Sequence, residues 1–261
     1  MRVRIFQIDA FATRRFSGNP AAVMLMESLS DEALLQAVAG ENNLAETAFI
    51  MPQGSDYRIR WFTPTNEVPL CGHATLASAA VVMERLEPAR EEVAFHSASG
   101  VLTVKRAPPA YVMNFPARRT TPVAMPVALP TALGATPVEV VADDINYLTR
   151  LGSADAVRKA SPDFAAVAAL DRKGLIITAE GEEGFDFVSR YFAPAQGVPE
   201  DPVTGSAHCA LAGYWAERLG KTELRAFQAS RRGGEIACRF LGDRVELSGT
   251  CVFFLEGEAE I

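Results

Sequence analysis

One stretch of this 261-residue chain occurs twice. Gly72-His-Ala-Thr-Leu-Ala-Ser-Ala-Ala-Val-Val-Met-Glu-Arg-Leu86, shifted by 133 positions, falls on Gly205-Ser-Ala-His-Cys-Ala-Leu-Ala-Gly-Tyr-Trp-Ala-Glu-Arg-Leu219 with 7 of 15 positions identical. Upstream the shift is 130: Arg60, Phe62, Pro64, Val68 and Pro69 match Arg190, Phe192, Pro194, Val198 and Pro199. The second copy therefore carries about three extra residues near Glu200-Asp-Pro202. Two alanine-rich helices coincide by chance at a few positions, but not with the same Phe-x-Pro and Val-Pro ahead of them. A chain built from a repeated unit folds as matched halves, each with its own core, and the length suits two lobes of ordinary size.

Within each half, strand patterns alternate with helical ones. Val3 to Ile8, Ala21 to Met26, Thr47 to Met51 and Tyr57 to Phe62 read as strands, with turn residues at Phe16-Ser-Gly-Asn-Pro20 and Thr63-Pro-Thr-Asn66. Ser30 is a candidate N-cap for a helix through Leu34, Leu35 and Val38, and a second helix is expected from about His73 to Leu86. Ala117 to Pro130 holds Pro122, Pro126 and Pro130 without clear periodicity and reads as a linker. The expected division is a first lobe at 1–116 and a second at 117–261, with the last strand a candidate to return to the first lobe. Gly220 is placed to stop the helix that begins near Ser206. The fold class is α+β.

The formal charge of −7 argues against nucleic-acid or anionic-membrane partners, which favour a basic surface. It leaves an anionic small molecule open, because local donors can hold a carboxylate. Cys71, Cys209, Cys238 and Cys251 show no Cys-x-x-Cys spacing, so reduced thiols are expected and a zinc site is not. The opening residues Met1 to Asp9 read as a strand rather than a signal peptide, and no apolar run reaches membrane-spanning length. A cytoplasmic protein is expected.

Each copy runs strand, proline-containing turn, glycine, then helix. A helix start offers unpaired N–H groups and the positive end of the dipole, a place for an anion. Gly72 and Ala74 in one copy, and Gly205 and Ala207 in the other, let a ligand approach the backbone; the same residues would also serve tight helix packing. The polar residues differ between copies. His73 stands opposite Ser206, and Asp201 lies in the insertion. Glu46 interrupts the apolar run from Leu44 to Ile50. A carboxyl among apolar neighbours can hold a proton near neutral pH and return it, which suits a general acid/base. Each residue also has a plain structural reading: an edge-strand Glu46, a capping His73 or Ser206, an Asp201 in a turn. Asn19 either shapes its turn or points its amide at a ligand. The two-thiol arrangement of amino-acid racemases is missing, since Cys71 matches Thr204 and Cys209 lies a turn later.

Taken in order, Asp9-Ala-Phe-x5-Ser-Gly-Asn-Pro-Ala-Ala-Val23, Asn43-Leu-Ala-Glu-Thr47, Arg60-x-Phe-Thr-Pro64, Leu70-Cys-Gly-His-Ala-Thr75 and Glu200-Asp-Pro-Val-Thr-Gly-Ser-Ala207 resemble the phenazine-biosynthesis PhzF-like family. That family has the diaminopimelate-epimerase-like fold. The resemblance implies two pseudo-symmetric lobes, each a curved mixed sheet around a central helix, with the active site in the cleft between them. It implies a homodimer and catalysis without metal or organic cofactor. By motif position the proton-shuttling carboxylate falls on Glu46, and the assisting residues on His73, Asp201 and Ser206. Asn19, Gly72, Ala74, Thr204 and Gly205 are the expected substrate-binding positions. Residues near Trp61, Tyr147 and Tyr191 are the expected pocket walls.

The function expected is therefore an isomerase that shifts a proton, by double-bond migration or epimerisation, on a small carboxylate-bearing metabolite. The alternatives are an amino-acid racemase or epimerase using Cys71, and a non-catalytic small-molecule binding protein.

Overall fold

Strand β1 (Arg2–Ala10) lies antiparallel between β2 (Asn19–Leu25) and the chain's last strand, Cys251–Glu260. This pairing is seen in a computed structural model that describes residues 1–182 and 184–261. One unit comprises Met1–Asn114 with Ser248–Ile261, and the other Phe115–Leu247.

In the first unit β3 (Glu46–Gln53) runs parallel to β2 and antiparallel to β4 (Asp56–Phe62). The end of β4 pairs with β5 (Glu67–Val68), and its start with β6 (Glu92–Ser97). Strands β7 (Gly100–Ala107) and β8 (Ala110–Pro116) follow as an antiparallel meander. Helix α1 (Glu32–Asn42) is capped by Asp31, not by Ser30: the Asp31 carboxylate accepts the Leu34 N–H at 3.0 Å, while the Ser30 hydroxyl is taken by Ser28. Leu35, Val38 and Ala39 of α1 pack on Met24, Phe49 and Phe62. Phe49 and Phe62 meet edge to face at 5.6 Å, and each such buried ring contributes roughly 1.5–3 kcal/mol.

Helix α2 (Gly72–Val81) is buried from His73 to Val81 and touches β1, β2, β3 and β7. Its side chains are small enough for a sheet to close around it. Thr75 and Ser78 donate their hydroxyls back to the carbonyls of Cys71 and Ala74 at 2.6 and 2.7 Å, so they bring no unpaired polarity into the core. The expected continuation of this helix to Leu86 is instead a π-helical turn, Val82–Leu86. The Glu87 N–H bonds the Val82 carbonyl at 2.7 Å, because the Arg106 guanidinium occupies the Met83 carbonyl that an α-helix would use.

In the second unit β9 (Thr121–Pro122) pairs with β10 (Glu139–Ala142), so the expected linker contains a strand. Next come β11 (Asn146–Arg150), β12 (Gly174–Glu180), β13 (Phe187–Ala193) and β14 (Val198–Asp201). Strand β15 (Glu223–Gln228) runs parallel to β13 and antiparallel to β16 (Gly234–Phe240); β17 (Arg244–Gly249) leads to the last strand, β18. Helices α3 (Leu129–Leu133), α4 (Ala154–Lys159) and α5 (Phe164–Ala168) share a core with Val140, Leu175, Ile177 and Phe192. Helix α6 (Gly205–Leu219) ends at Gly220, left-handed at φ 65°, where a C-terminal glycine is expected to stop it. Trp215 of α6 stacks on Phe187 at 5.8 Å, and its indole N–H donates to Thr178 at 3.0 Å.

One arrangement recurs with its arginine and phenylalanine at repeat-matched positions and its carboxylate on opposite sides of the Val-Pro pair in the two copies. Arg60 clamps Glu67 through two bonds of 2.7 Å, and its guanidinium lies 5.1 Å from the Phe62 ring. Arg190 clamps Glu200 at 2.7 and 3.0 Å and lies 4.9 Å from Phe192. In each unit the fork fastens the strand that precedes the helix start. Among the described residues no helix is long and apolar enough to cross a membrane.

Candidate active site

In the first unit three elements deliver side chains to one place. Asn43, left-handed at φ 48°, ends α1 and turns the chain so that Glu46 becomes the first residue of β3. Beside it, Asn42 donates its amide to the Thr47 hydroxyl at 3.1 Å and pins that junction. Gly18, at φ 68°, passes so close to the Ala10 carbonyl that a Cβ there would lie 2.2 Å from it; only glycine lets the loop return and start β2 at Asn19. Cys71, extended at φ −140°, heads α2 and leaves His73 in its first turn.

The result is a buried chain of polar groups. Nε2 of His73 lies 3.1 Å from Oε2 of Glu46, with the side chains 6 % and 17 % exposed. Neither atom makes an aligned hydrogen bond, so this close approach is an ion-pair contact whose lone pair and proton are misdirected relative to each other. On the other side of the ring, Nδ1 lies 3.2 Å from the amide nitrogen of Asn19 and 3.5 Å from the Cys71 sulfur. Buried polar atoms without an aligned partner are rare in a folded chain and call for a reason.

Burial by itself disfavours the His73 imidazolium, but the neighbouring Cys71 and Glu46 outweigh it and hold the ring above the usual imidazole value. Burial, reinforced by the Glu46 charge, pushes the Cys71 thiol up, so the sulfur stays protonated at neutral pH. A protonated sulfur carries no charge, and Glu46 is therefore the neighbour that favours imidazolium.

Ligand atoms of Glu46, Cys71 and His73 lie within 4.8 Å of one another. Cys71 meets Nδ1 and Glu46 meets Nε2, opposite corners of the ring. A single ion with bonds of about 2.0–2.3 Å takes one ring nitrogen only, so this arrangement does not form a three-ligand metal centre.

The second unit carries a separate set at the start of α6. Thr204 is the extended residue before the helix, and its hydroxyl donates to Asp201 at 2.5 Å. Gln228, buried at the end of β15, accepts the Thr204 N–H at 2.8 Å and donates to the Asp201 carbonyl at 2.7 Å and the Thr204 hydroxyl at 3.1 Å. Gly205 is buried, whereas Ser206 is exposed. The sequence reading missed Gln228, because a glutamine in a strand has no local signal for a clamp 24 residues upstream. Ala74 is fully buried, leaving its backbone as its means of touching a ligand, and Gly72 is partly open. Trp61 is buried, and the hydroxyls of Tyr147 and Tyr191 are bonded to Asp171 and Asn146. Asn19 is wholly buried against His73.

A family model described as phenazine biosynthesis-like protein matches residues 8–257. The chain belongs to the phenazine biosynthesis-like family. It is 49 % identical over the full length of both chains to a protein of Pseudomonas aeruginosa named as an uncharacterized isomerase. A crystal structure of a PhzF-family phenazine biosynthesis protein from Enterococcus faecalis matches it with a TM-score of 0.97 and 42 % identity, covering all of both chains. A probable proline racemase from Agrobacterium radiobacter, at 10 % identity and TM-score 0.64 over 99 % of this chain and 92 % of its own, shares the fold. This member of the phenazine biosynthesis-like family thus has the epimerase-like α+β fold and is an enzyme of the isomerase class.

Proposed function

We propose that this isomerase moves a proton between two carbons of a small carboxylate-bearing metabolite, with Glu46 as the proton carrier. The observation that carries the reading is the Glu46–His73 contact: two buried, titratable atoms 3.1 Å apart with no aligned bond. Such a pair is free to re-aim at a substrate without first breaking a good hydrogen bond.

In the proposed step the Glu46 carboxylate takes a proton from a carbon made acidic by conjugation with the substrate carboxylate. The C–H bond breaks, its electron pair spreads onto the carboxylate oxygens, and an O–H forms on Glu46. Delivering the same proton to a second carbon forms the new C–H bond and restores the carboxylate. His73, donating from Nε2, stabilises the negative charge that develops. In the second unit, the Ser206 hydroxyl and the N–H groups around Gly205, with Thr204 at the cap, are proposed as a site suited to a carboxylate. Asp201, held by Thr204 and Gln228, is proposed as a polar binding group of that second-unit site. The homodimer belongs to the same proposal.

The alternative racemase chemistry through Cys71 is disfavoured because the thiol is buried and pushed up, and thiolate is the reactive form. The test is a thermal-shift screen of small carboxylates, followed by solvent-deuterium incorporation into any hit. Glu46→Gln should bind the hit and lower incorporation by about 10²–10⁴-fold. Unchanged incorporation in that variant rejects the proposal, and a hit that never exchanges supports a binding protein instead.

A further inference from the structure

Two neighbours of His73 make opposite demands on its ring. Glu46, at Nε2, favours a proton there and a positive ring. Asn19 presents its amide nitrogen, which can only donate, to Nδ1 at 3.2 Å. Cys71, a thiol at neutral pH, stands as a second and weaker donor at the same nitrogen, 3.5 Å away. In the neutral ring, the nitrogen faced by donors is the one that keeps its lone pair.

We infer that Asn19 is a positioning residue: its amide holds Nδ1 of His73 as an acceptor, so the neutral ring carries its single proton on Nε2, facing Glu46. The titratable groups against this ring are Glu46, on β3, and Cys71, at the head of α2. The inference rests on the proton-transfer reading above, and it changes the role expected of Asn19 from substrate contact to His73 support. It gives the pair a division of labour. Glu46 is the group that accepts a proton from carbon. His73 is the group whose Nε2–H is held toward the same edge to hydrogen-bond the developing charge, because Nδ1 is already engaged as an acceptor. The Nδ1–H tautomer would leave two donors face to face in a buried site, which is costly.

The molecule contains its own control. His208, in α6, places Nδ1 2.8 Å from the Thr204 carbonyl, which can only accept. Neutral His208 is therefore the opposite tautomer, with its proton on Nδ1.

The experiment is nitrogen-15 NMR of substrate-free protein labelled at its three histidines, titrated upward in pH, with peaks assigned through His73→Gln, His96→Gln and His208→Asn. The expected result is His73 as Nε2–H and His208 as Nδ1–H in their neutral forms. Asn19→Asp, which turns the donor into a carboxylate, should move the His73 titration up by a pH unit or more. It should also cut deuterium incorporation at least tenfold at neutral pH. A neutral His73 with its proton on Nδ1 overturns the inference, even if Asn19→Asp fails to fold. The two claims separate cleanly. Nε2–H with full exchange in Glu46→Gln defeats the reaction and keeps Asn19's role; Nδ1–H with dead Glu46→Gln does the reverse.

Discussion

Nε2 of His73 and Oε2 of Glu46 are 3.1 Å apart, yet neither is aligned for a hydrogen bond with the other. A structural ion pair in a core usually earns its place by bonding well, since the cost of desolvating both charges is large. This one has distance without direction. That is the state expected of groups whose true partner arrives with the substrate, because hydrogen bonds at active sites tighten only when it is bound.

The pair makes a pH prediction. The folded-state value of His73 is raised, while the unfolded ring has its ordinary value near 6.5. Below that value both states hold the proton and the full stabilisation is present. Above it the unfolded chain loses the proton first, so stability is lost as pH rises through the folded-state value, at up to about 1.4 kcal/mol per pH unit. Melting curves from pH 6 upward should show this loss in the wild type and a shallower one in His73→Gln. Parallel curves would show that Glu46 does not hold the imidazolium.

His208 should behave in the opposite sense. Burial lowers it to about 4, partly resisted by its bond to the Thr204 carbonyl. A depressed value means stability present above about 6.5 and lost as pH falls toward 4, on the order of 3 kcal/mol in all. His208→Asn keeps a donor for Thr204 and removes the titration. The variant should lose less stability than the wild type between pH 6.5 and 4 in chemical denaturation. An equal loss in both would refute the assignment.

Much of this arrangement was legible in the sequence. The repeat led to α2 and α6 and to the residues at their starts, and Glu46 stood out because an acidic residue broke an apolar strand. Three things were not legible. The α1 cap moved by one residue, to Asp31, because the competing hydroxyl of Ser30 is spent on Ser28. The helix after Val81 widened, because Arg106, far along the chain, takes a carbonyl. The partnership of Asn19 with His73 spans 54 residues and depends on the return of a loop through Gly18. The last two are contacts between distant segments, which local periodicity does not encode; the first is a local competition between neighbouring hydroxyls.

Gln228 is the support that the second set of candidate residues requires. It makes one bond to the Thr204 N–H and two from its own amide, buried at Thr204 and part-buried at the Asp201 carbonyl. Gln228→Leu strips the Thr204 N–H of its acceptor, and each buried group left unpaired costs about 1–3 kcal/mol. A loss of at least about 2 kcal/mol in denaturant unfolding is therefore expected. If Asp201 and Thr204 hold substrate, KM should rise more than kcat falls, since the Glu46–His73 pair is untouched. A fall in kcat with unchanged KM would remove these residues from binding.

Gly18 links the fold to the chemistry most directly. Its φ of 68° is costly for any residue with a Cβ, and that Cβ would lie 2.2 Å from the Ala10 carbonyl and 2.8 Å from Ala12. The carbonyl belongs to the end of β1, between β2 and β18, and cannot yield without disturbing both pairings. The left-handed backbone and the overpacking together cost about 2–4 kcal/mol in Gly18→Ala. The variant should melt several degrees lower. Because Asn19 is the next residue, it should also lose more deuterium incorporation than a core variant of equal stability, such as Val38→Ala in α1. Equal activity in those two variants would mean that the turn serves the fold alone.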